Sequence, residues 1–239
     1  MKNLKGIVAI ISGAGSGLGK ETALAFAKAG ANIVICGRSY HKLEQVENLI
    51  TSQYDVDVLP IRADVSSESD VEMLIQAAFA KFRRIDIVIN NAAVFQQYYV
   101  VNSSLDSWEY QMHNNATSVF LMMRECLPIM RKQRSGCIIN ITSGLSKEGA
   151  AGFGAYAASK AAVETLTYSV QDEEHKHGIR VHAFNPGVMR TNMIATGDDP
   201  VNIAPYVVEL ARADVANEKR VFQVEDFQLS EDVLRFYSS

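Results

Sequence analysis

The chain has 239 residues, a formal net charge of −4, and 48% hydrophobic against 21% charged residues. That length suits one large α/β domain with a full core, and the composition is ordinary for a soluble globular protein. The mild negative charge gives no electrostatic case for nucleic acid or for an anionic membrane, so neither is expected as a partner. The first apolar run, Ile7-Val8-Ala9-Ile10-Ile11, is too short to cross a bilayer. Cys36, Cys126 and Cys137 are odd in number, widely spaced and free of any Cys-x-x-Cys, which points to a reduced, cytoplasmic compartment.

In chain order, a strand is predicted over 6–12, running straight into Gly13-Ala14-Gly15-Ser16-Gly17-Leu18-Gly19. An alanine-rich helix over 18–29 then stops at Gly30, a suitable residue just past a helix end. The next strand, 32–36, ends at Gly37-Arg38-Ser39, and a third, 56–63, is followed by Asp64-Val65. Ser67 and the early carboxylates Glu68 and Asp70 open a helix running to about Phe82. A strand over 85–90 leads into Asn90-Asn91-Ala92-Ala93, and a long helix covers 107–133. A strand over 136–142 is closed by Ser143, and a helix over 156–177 carries His175, Lys176 and His177 in its last turn. Strand 179–184 precedes Asn185-Pro186-Gly187; a helical pattern resumes near Val201, then a strand over 220–224 and a short helix within 228–239.

Several strands are continuously apolar and rich in Val and Ile, as parallel strands covered on both faces are. With strand and helix alternating throughout, the expected fold is a Rossmann-type doubly wound parallel sheet of about seven strands in a single domain, 1–239.

Gly13, Ser16, Gly17, Leu18 and Gly19 mark a phosphate site. A pyrophosphate needs close backbone approach without a Cβ in the way, plus the free N–H groups and positive dipole of a helix N-terminus. The end of the second strand lacks the carboxylate that binds a ribose 2′-hydroxyl. Arg38 stands there with Ser39, and a guanidinium fork suits a 2′-phosphate. NADP(H) is therefore the preferred cofactor, with NAD(H) possible.

Tyr156 and Lys160 are spaced to lie one turn apart on one helix face. A nearby ammonium should favour phenolate and lower the tyrosine pKa by roughly one to three units. Ser143, thirteen residues before Tyr156, closes a strand at the sheet edge where such folds bind ligands, and its hydroxyl can hold a carbonyl oxygen. No His-Glu-x-x-His, Gly-x-Ser-x-Gly or Gly-Lys-Ser/Thr motif is present, so zinc, a serine nucleophile and a P-loop are not indicated.

The glycine turn, Ser143 and the Tyr156–Lys160 pair together resemble the short-chain dehydrogenase/reductase family over roughly residues 5–195, in particular its 3-oxoacyl-carrier-protein reductases. The resemblance implies that Asp64 and Val65 edge the adenine, and that Asn91, Ala92 and Ala93 replace the family's Asn-Ala-Gly, with a methyl in place of the glycine. It implies that Pro186, Gly187, Val188 and Thr191 hold the nicotinamide end and the pyrophosphate. Lys160 would bond the nicotinamide ribose. Asn115 would bend its helix and hold a water in the proton relay, with Asn114 one register slip away.

The family's substrate lid looks reduced, at about 191–202, which suits bulky, carrier-tethered or CoA-tethered ketones; Phe95, Gln96, Leu145, Phe153 and Met189 are candidate walls. The tail, about 225–239, departs from the family pattern, while a homodimer or homotetramer is expected. The expected activity is NADPH-dependent reduction of a 3-oxoacyl or secondary-metabolite ketone. An alcohol or sugar dehydrogenase working oxidatively, and a non-catalytic NADP(H) sensor, stand as alternatives.

Overall fold

Strand β1 (Val8–Ser12) is buried at every position, as its unbroken apolar run requires of a central strand. In the computed structural model, which describes residues 3–190, 196–213, 219–227, 233, 236 and 237, it is one of seven strands. The others are β2 (Asn32–Gly37), β3 (Val58–Arg62), β4 (Ile87–Asn90), β5 (Gly136–Ile141), β6 (Ile179–Asn185) and β7 (Val221–Gln223). They form one all-parallel sheet in the order β3-β2-β1-β4-β5-β6-β7. This is the expected Rossmann-type doubly wound architecture. The order reverses at β1, which pairs with β2 on one side and β4 on the other. A crevice opens at such a switch point, beyond the carboxyl ends of the strands.

Alternate residues of each strand face opposite layers. Ile11, Ile33, Ile35, Ile89 and Phe184 pack with helices α1 (Gly17–Lys28), α2 (Tyr40–Thr51) and α8 (Pro200–Arg212). Ile10, Val34, Val88, Ile138 and Val181 pack on the other side. Their partners there are α3 (Glu68–Phe82), α5 (Ser118–Gln133) and α7 (Gly154–Glu174). All three cysteines are buried within these layers, where burial pushes the Cys36 thiol up to about 12 and raises those of Cys126 and Cys137. They are core residues rather than nucleophiles.

The long helix expected over 107–133 is three segments. Helix α4 (Leu105–Met112) begins two residues early because the Ser104 hydroxyl accepts the Ser107 N–H and caps it. A π-helical turn, His113–Thr117, then widens the chain before α5. Such turns commonly mark functional positions, and Asn115 lies inside this one. The helix expected from Tyr156 starts at Gly154, and its last basic residues, His175–His177, tighten into a 3₁₀ turn ended by Gly178 at φ +73°.

In the tail, the 3₁₀ turn Val224–Asp226 follows β7 and is closed by a reciprocal Gln223–Asp226 capping box. Val233, Phe236 and Tyr237 are helical, and Tyr237 is buried in the core of its own chain, its hydroxyl accepting from Arg212 at 2.8 Å. The remainder of 228–239 lies outside the described residues.

His182 on β6 is fully buried, and neither of its ring nitrogens has a hydrogen-bond partner among the described residues. It stands edge-on to Phe222 of β7, at 5.2 Å. Burial, and then the charge of Arg180, pull its pKa from 6.5 down to about 4. The unfolded chain therefore binds more protons between these values, so stability is complete above about pH 6.5 and falls as pH drops toward 4. His182→Leu is expected to flatten this acid loss, adding about 1–3 kcal/mol near pH 4.5, as read by urea melts at several pH values. Parallel acid profiles for variant and wild type would contradict this.

Candidate active site

Beyond the carboxyl ends of β1, β2, β4, β5 and β6 runs a cleft of about 580 Å³. Its phosphate end is made by the glycine turn. Gly17, at φ +54°, opens α1, and the N–H groups of that first turn have no intrahelical acceptor. Gly13, Gly15, Ser16, Gly17 and Leu18 line the cleft. Gly19 does not, and its requirement is different. A Cβ there would lie 2.5 Å from both the Asn91 side-chain nitrogen and the Gly13 carbonyl oxygen. A Cβ on Gly13 would come within 2.9 Å of the Ala92 backbone. These glycines let the turn after β4 dock on the turn after β1. Ser12 fastens the joint: its hydroxyl accepts the N–H groups of Asn91 and Ala92, at 3.0 and 3.1 Å. Asn91 returns a bond from its amide to the Ser12 carbonyl at 3.0 Å.

At the far end, Arg38 and Ser39 line the cleft with Asp64 and Val65. The Arg38 guanidinium lies 3.5 Å from the Tyr110 hydroxyl. Lys42, in the first turn of α2, lines the same end against Gly15, and sequence reasoning missed it. The available signal was its spacing, four residues past Arg38 at the start of a helix. An open helix N-terminus and two cations lining one cleft fit a nicotinamide dinucleotide.

Ser143, Tyr156 and Lys160 converge at the opposite end. Tyr156 and Ser143 line the same corner of the cleft. The Tyr156 phenol is raised above its ordinary pKa by burial, with the neighbouring Ser143 hydroxyl acting the other way. This corrects the expectation of a lowered value. Lys160 is buried too, and its ammonium donates to the Ile141 carbonyl at 2.7 Å, 5.8 Å from the centre of the tyrosine ring. Burial pulls the Lys160 pKa down to about 8. Desolvation thus acts on both groups toward their neutral forms.

Asn115 does not reach the cleft; it is wholly buried behind it. Its carboxamide accepts from the Val94 N–H at 2.7 Å and donates to the Val94 carbonyl and the Ser159 hydroxyl, each at 3.0 Å. Ser159 in turn donates to the Tyr156 carbonyl at 2.7 Å. The side chain ties the segment after β4 to α7, and both of its amide hydrogens are used in doing so. Asn114 lines the cleft instead, with its amide donating to the Tyr110 carbonyl.

Ala93, Phe95, Leu145, Phe153 and Met189 line the cleft, with Pro186, Gly187 and Val188 along the β6 side. Phe95 stacks on Phe153 at 5.0 Å and meets the Tyr156 ring edge-on at 5.6 Å, which fixes the phenol's plane. Gln96 faces a neighbouring groove. Thr191, and 191–195 of the expected lid, lie outside the described residues. Beyond them, Met189 and Asp198 are bridged, and α8 begins at Pro200.

The sheet and cleft define a Rossmann-type dinucleotide-binding protein. A family model described as short chain dehydrogenase matches residues 7–201, and the chain belongs to that family of nicotinamide-dependent oxidoreductases. It is 34% identical over 208 residues to an uncharacterised oxidoreductase of Staphylococcus aureus strain MW2, covering 84% of this chain and 89% of the relative. It is 33% identical over 196 residues to a 3-oxoacyl-[acyl-carrier-protein] reductase of Synechocystis, covering 81% and 78%. The solved structure of levodione reductase superposes with a TM-score of 0.87 at 29% identity, over 92% of this chain and 96% of that one. Among the described residues, no helix is long and apolar enough to cross a membrane.

A buried ammonium with one hydrogen bond contributes little net stability. Lys160→Met is therefore expected to keep the unfolding free energy of the cofactor-free protein within about 1 kcal/mol of wild type while abolishing turnover. Denaturant melts beside an activity assay check this; a large loss of stability would make Lys160 a structural residue.

Proposed function

We propose that the chain reduces a ketone to a secondary alcohol with NADPH, and that Tyr156 is the general acid. The observation that carries this reading is the convergence of Ser143, Tyr156 and the buried Lys160 on one corner of the cleft. Bound nicotinamide supplies the hydride for the carbonyl carbon. The chain's own residues handle the oxygen. Ser143 and Tyr156 converge their hydroxyls on it. Burial keeps the Tyr156 phenol protonated at neutral pH, the state an acid needs. As charge moves from the carbonyl oxygen to the phenol, the Lys160 ammonium, protonated below about 8, lies close enough to offset it. Phe95 and Phe153 shield this corner from water. Asn115 holds the helix and the β4 segment in place and is a positioning residue.

Arg38, Ser39 and Lys42, with no carboxylate at the end of β2, support NADPH over NADH. The size of the cleft and the 61% exposure of Val188 at its rim support bulky, carrier-tethered or CoA-tethered ketones. The names of the Synechocystis and levodione enzymes, both reductases, agree with this direction. A cytoplasmic homodimer or homotetramer completes the proposal.

The test is loss of NADPH absorbance against acetoacetyl-CoA, ethyl acetoacetate and a set of cyclic diketones. Turnover is expected, with Tyr156→Phe lowering kcat by about 10²–10⁴-fold while the protein still binds NADPH. Tight NADPH binding with no turnover on any of them, unchanged by Tyr156→Phe, would favour a sensor. Arg38→Asp is expected to lower kcat/KM for NADPH by roughly 10–100-fold, the value of a lost charged hydrogen bond, while raising it for NADH. Equal use of both cofactors by wild type would sink the NADPH assignment.

A further inference from the structure

Glu164 is a buried carboxyl group, 6% exposed, that the chemistry above does not use. It lies one helical turn past Lys160 on α7. A buried carboxyl persists only where its oxygens are hydrogen-bonded. Here the Thr142 hydroxyl donates to its Oε1 at 2.8 Å. The Ser146 hydroxyl lies 2.5 Å from the same oxygen and 2.7 Å from the Ser143 carbonyl. Its one proton is shared between two acceptors at the same joint.

The two hydroxyls that Glu164 gathers stand on either side of Ser143. Thr142 is the residue before it, and Ser146 belongs to the four-residue helix α6 (Leu145–Glu148) that follows. Ser143 therefore sits in a short bend between the end of β5 and that helix, with one clamp reaching both ends. We propose that Glu164 is the positioning residue for Ser143: its Oε1 holds Thr142 and Ser146 together and so sets where the Ser143 hydroxyl points. The role rests on Ser143 acting on the substrate oxygen. It needs an acceptor oxygen at this position, which glutamine also supplies, so the clamp is a matter of geometry rather than of charge. A displacement of the order of 1 Å at a reacting group lowers rates by about 100-fold.

The experiment compares Glu164→Leu, which keeps bulk without an acceptor, with Glu164→Gln, which keeps the oxygen, both in the full chain. Amide hydrogen exchange is the first readout and needs no substrate. The amides of 143–147 are expected to exchange at least about tenfold faster in Glu164→Leu, with β1 and β4 unchanged, and at the wild-type rate in Glu164→Gln. The second readout is NADPH-dependent reduction of acetoacetyl-CoA, or of the best ketone in the set above. Glu164→Leu should lower kcat by roughly 10–100-fold with the KM for NADPH unchanged, and Glu164→Gln should restore it to within about threefold. In a Ser143→Ala background the same Glu164→Leu change should cost almost nothing, because the group it positions is gone.

Unchanged exchange at 143–147, or an equal cost of Glu164→Leu with and without Ser143, would overturn the proposal. Full activity in Ser143→Ala would instead overturn the reading of the site, and exchange would still decide whether Glu164 holds the bend. Should Glu164→Leu fail to fold, Thr142→Val combined with Ser146→Ala removes the same bonds from the other side, with the same two readouts.

Discussion

Everything at the catalytic end of the cleft depends on the polar grip of helix α7 on the end of β5. Thr167, Glu164 and Lys160 fall on one face of the helix, and each takes hold of a successive residue at or just past the end of the strand. Asn140 donates to Thr167 at 2.9 Å, Ile141 accepts from Lys160 at 2.7 Å, and Thr142 donates to Glu164 at 2.8 Å. Asn140, Thr142, Glu164 and Thr167 are buried, so a missed bond among these side chains carries the full cost of a desolvated polar atom. A helix laid on a sheet by apolar contacts alone can shift by fractions of an ångström at small cost. One held by directional bonds at three consecutive residues, 140–142, at and just past the end of the strand cannot. Tyr156 and Lys160 ride on that helix, and Ser143 follows in the bend beyond the strand. The grip therefore sets how far Tyr156 stands from Ser143.

The cofactor end obeys a different constraint, close backbone approach. Two loops from adjacent central strands must touch, and their glycines leave the room. Ser12, the last residue of β1, uses its single side chain to satisfy two N–H groups of the neighbouring loop. The result is a rigid floor at the point where the strand order reverses, the place where a doubly wound sheet leaves a crevice. The two ends meet through Asn115, whose π-helical turn lets one carboxamide bond both the chain leaving β4 and Ser159 of α7.

Much of this was legible in the sequence because the periodicities involved are local. Continuous Val and Ile runs locate the strands, and the Gly13–Gly19 spacing marks the turn. The Tyr156–Lys160 spacing places both groups on one face. What was not legible came from contacts between distant segments. Gly19 reads as a cofactor residue but serves the packing of Asn91. Asn115 reads as a relay residue, and only the fold shows that its side chain joins Val94 to Ser159. Lys42 has no motif of its own and acquires a place beside Arg38 only once α2 folds back along the cleft. The sequence pattern over 107–133 reads as one helix, and the turn at 113–117 is set by contacts with distant segments, those of Asn115 with Val94 and Ser159.

The sequence by itself determined the class of fold, the glycine turn, and which side chains of catalytic type were available. Those follow from propensity and from the spacing of residues within single elements. Only the tertiary structure decided their physical state. Tyr156 is raised rather than lowered, and Lys160 is brought down to about 8, because both are enclosed by segments far away in the chain. Desolvation depends on what surrounds a group, and no stretch of sequence near residue 156 records it.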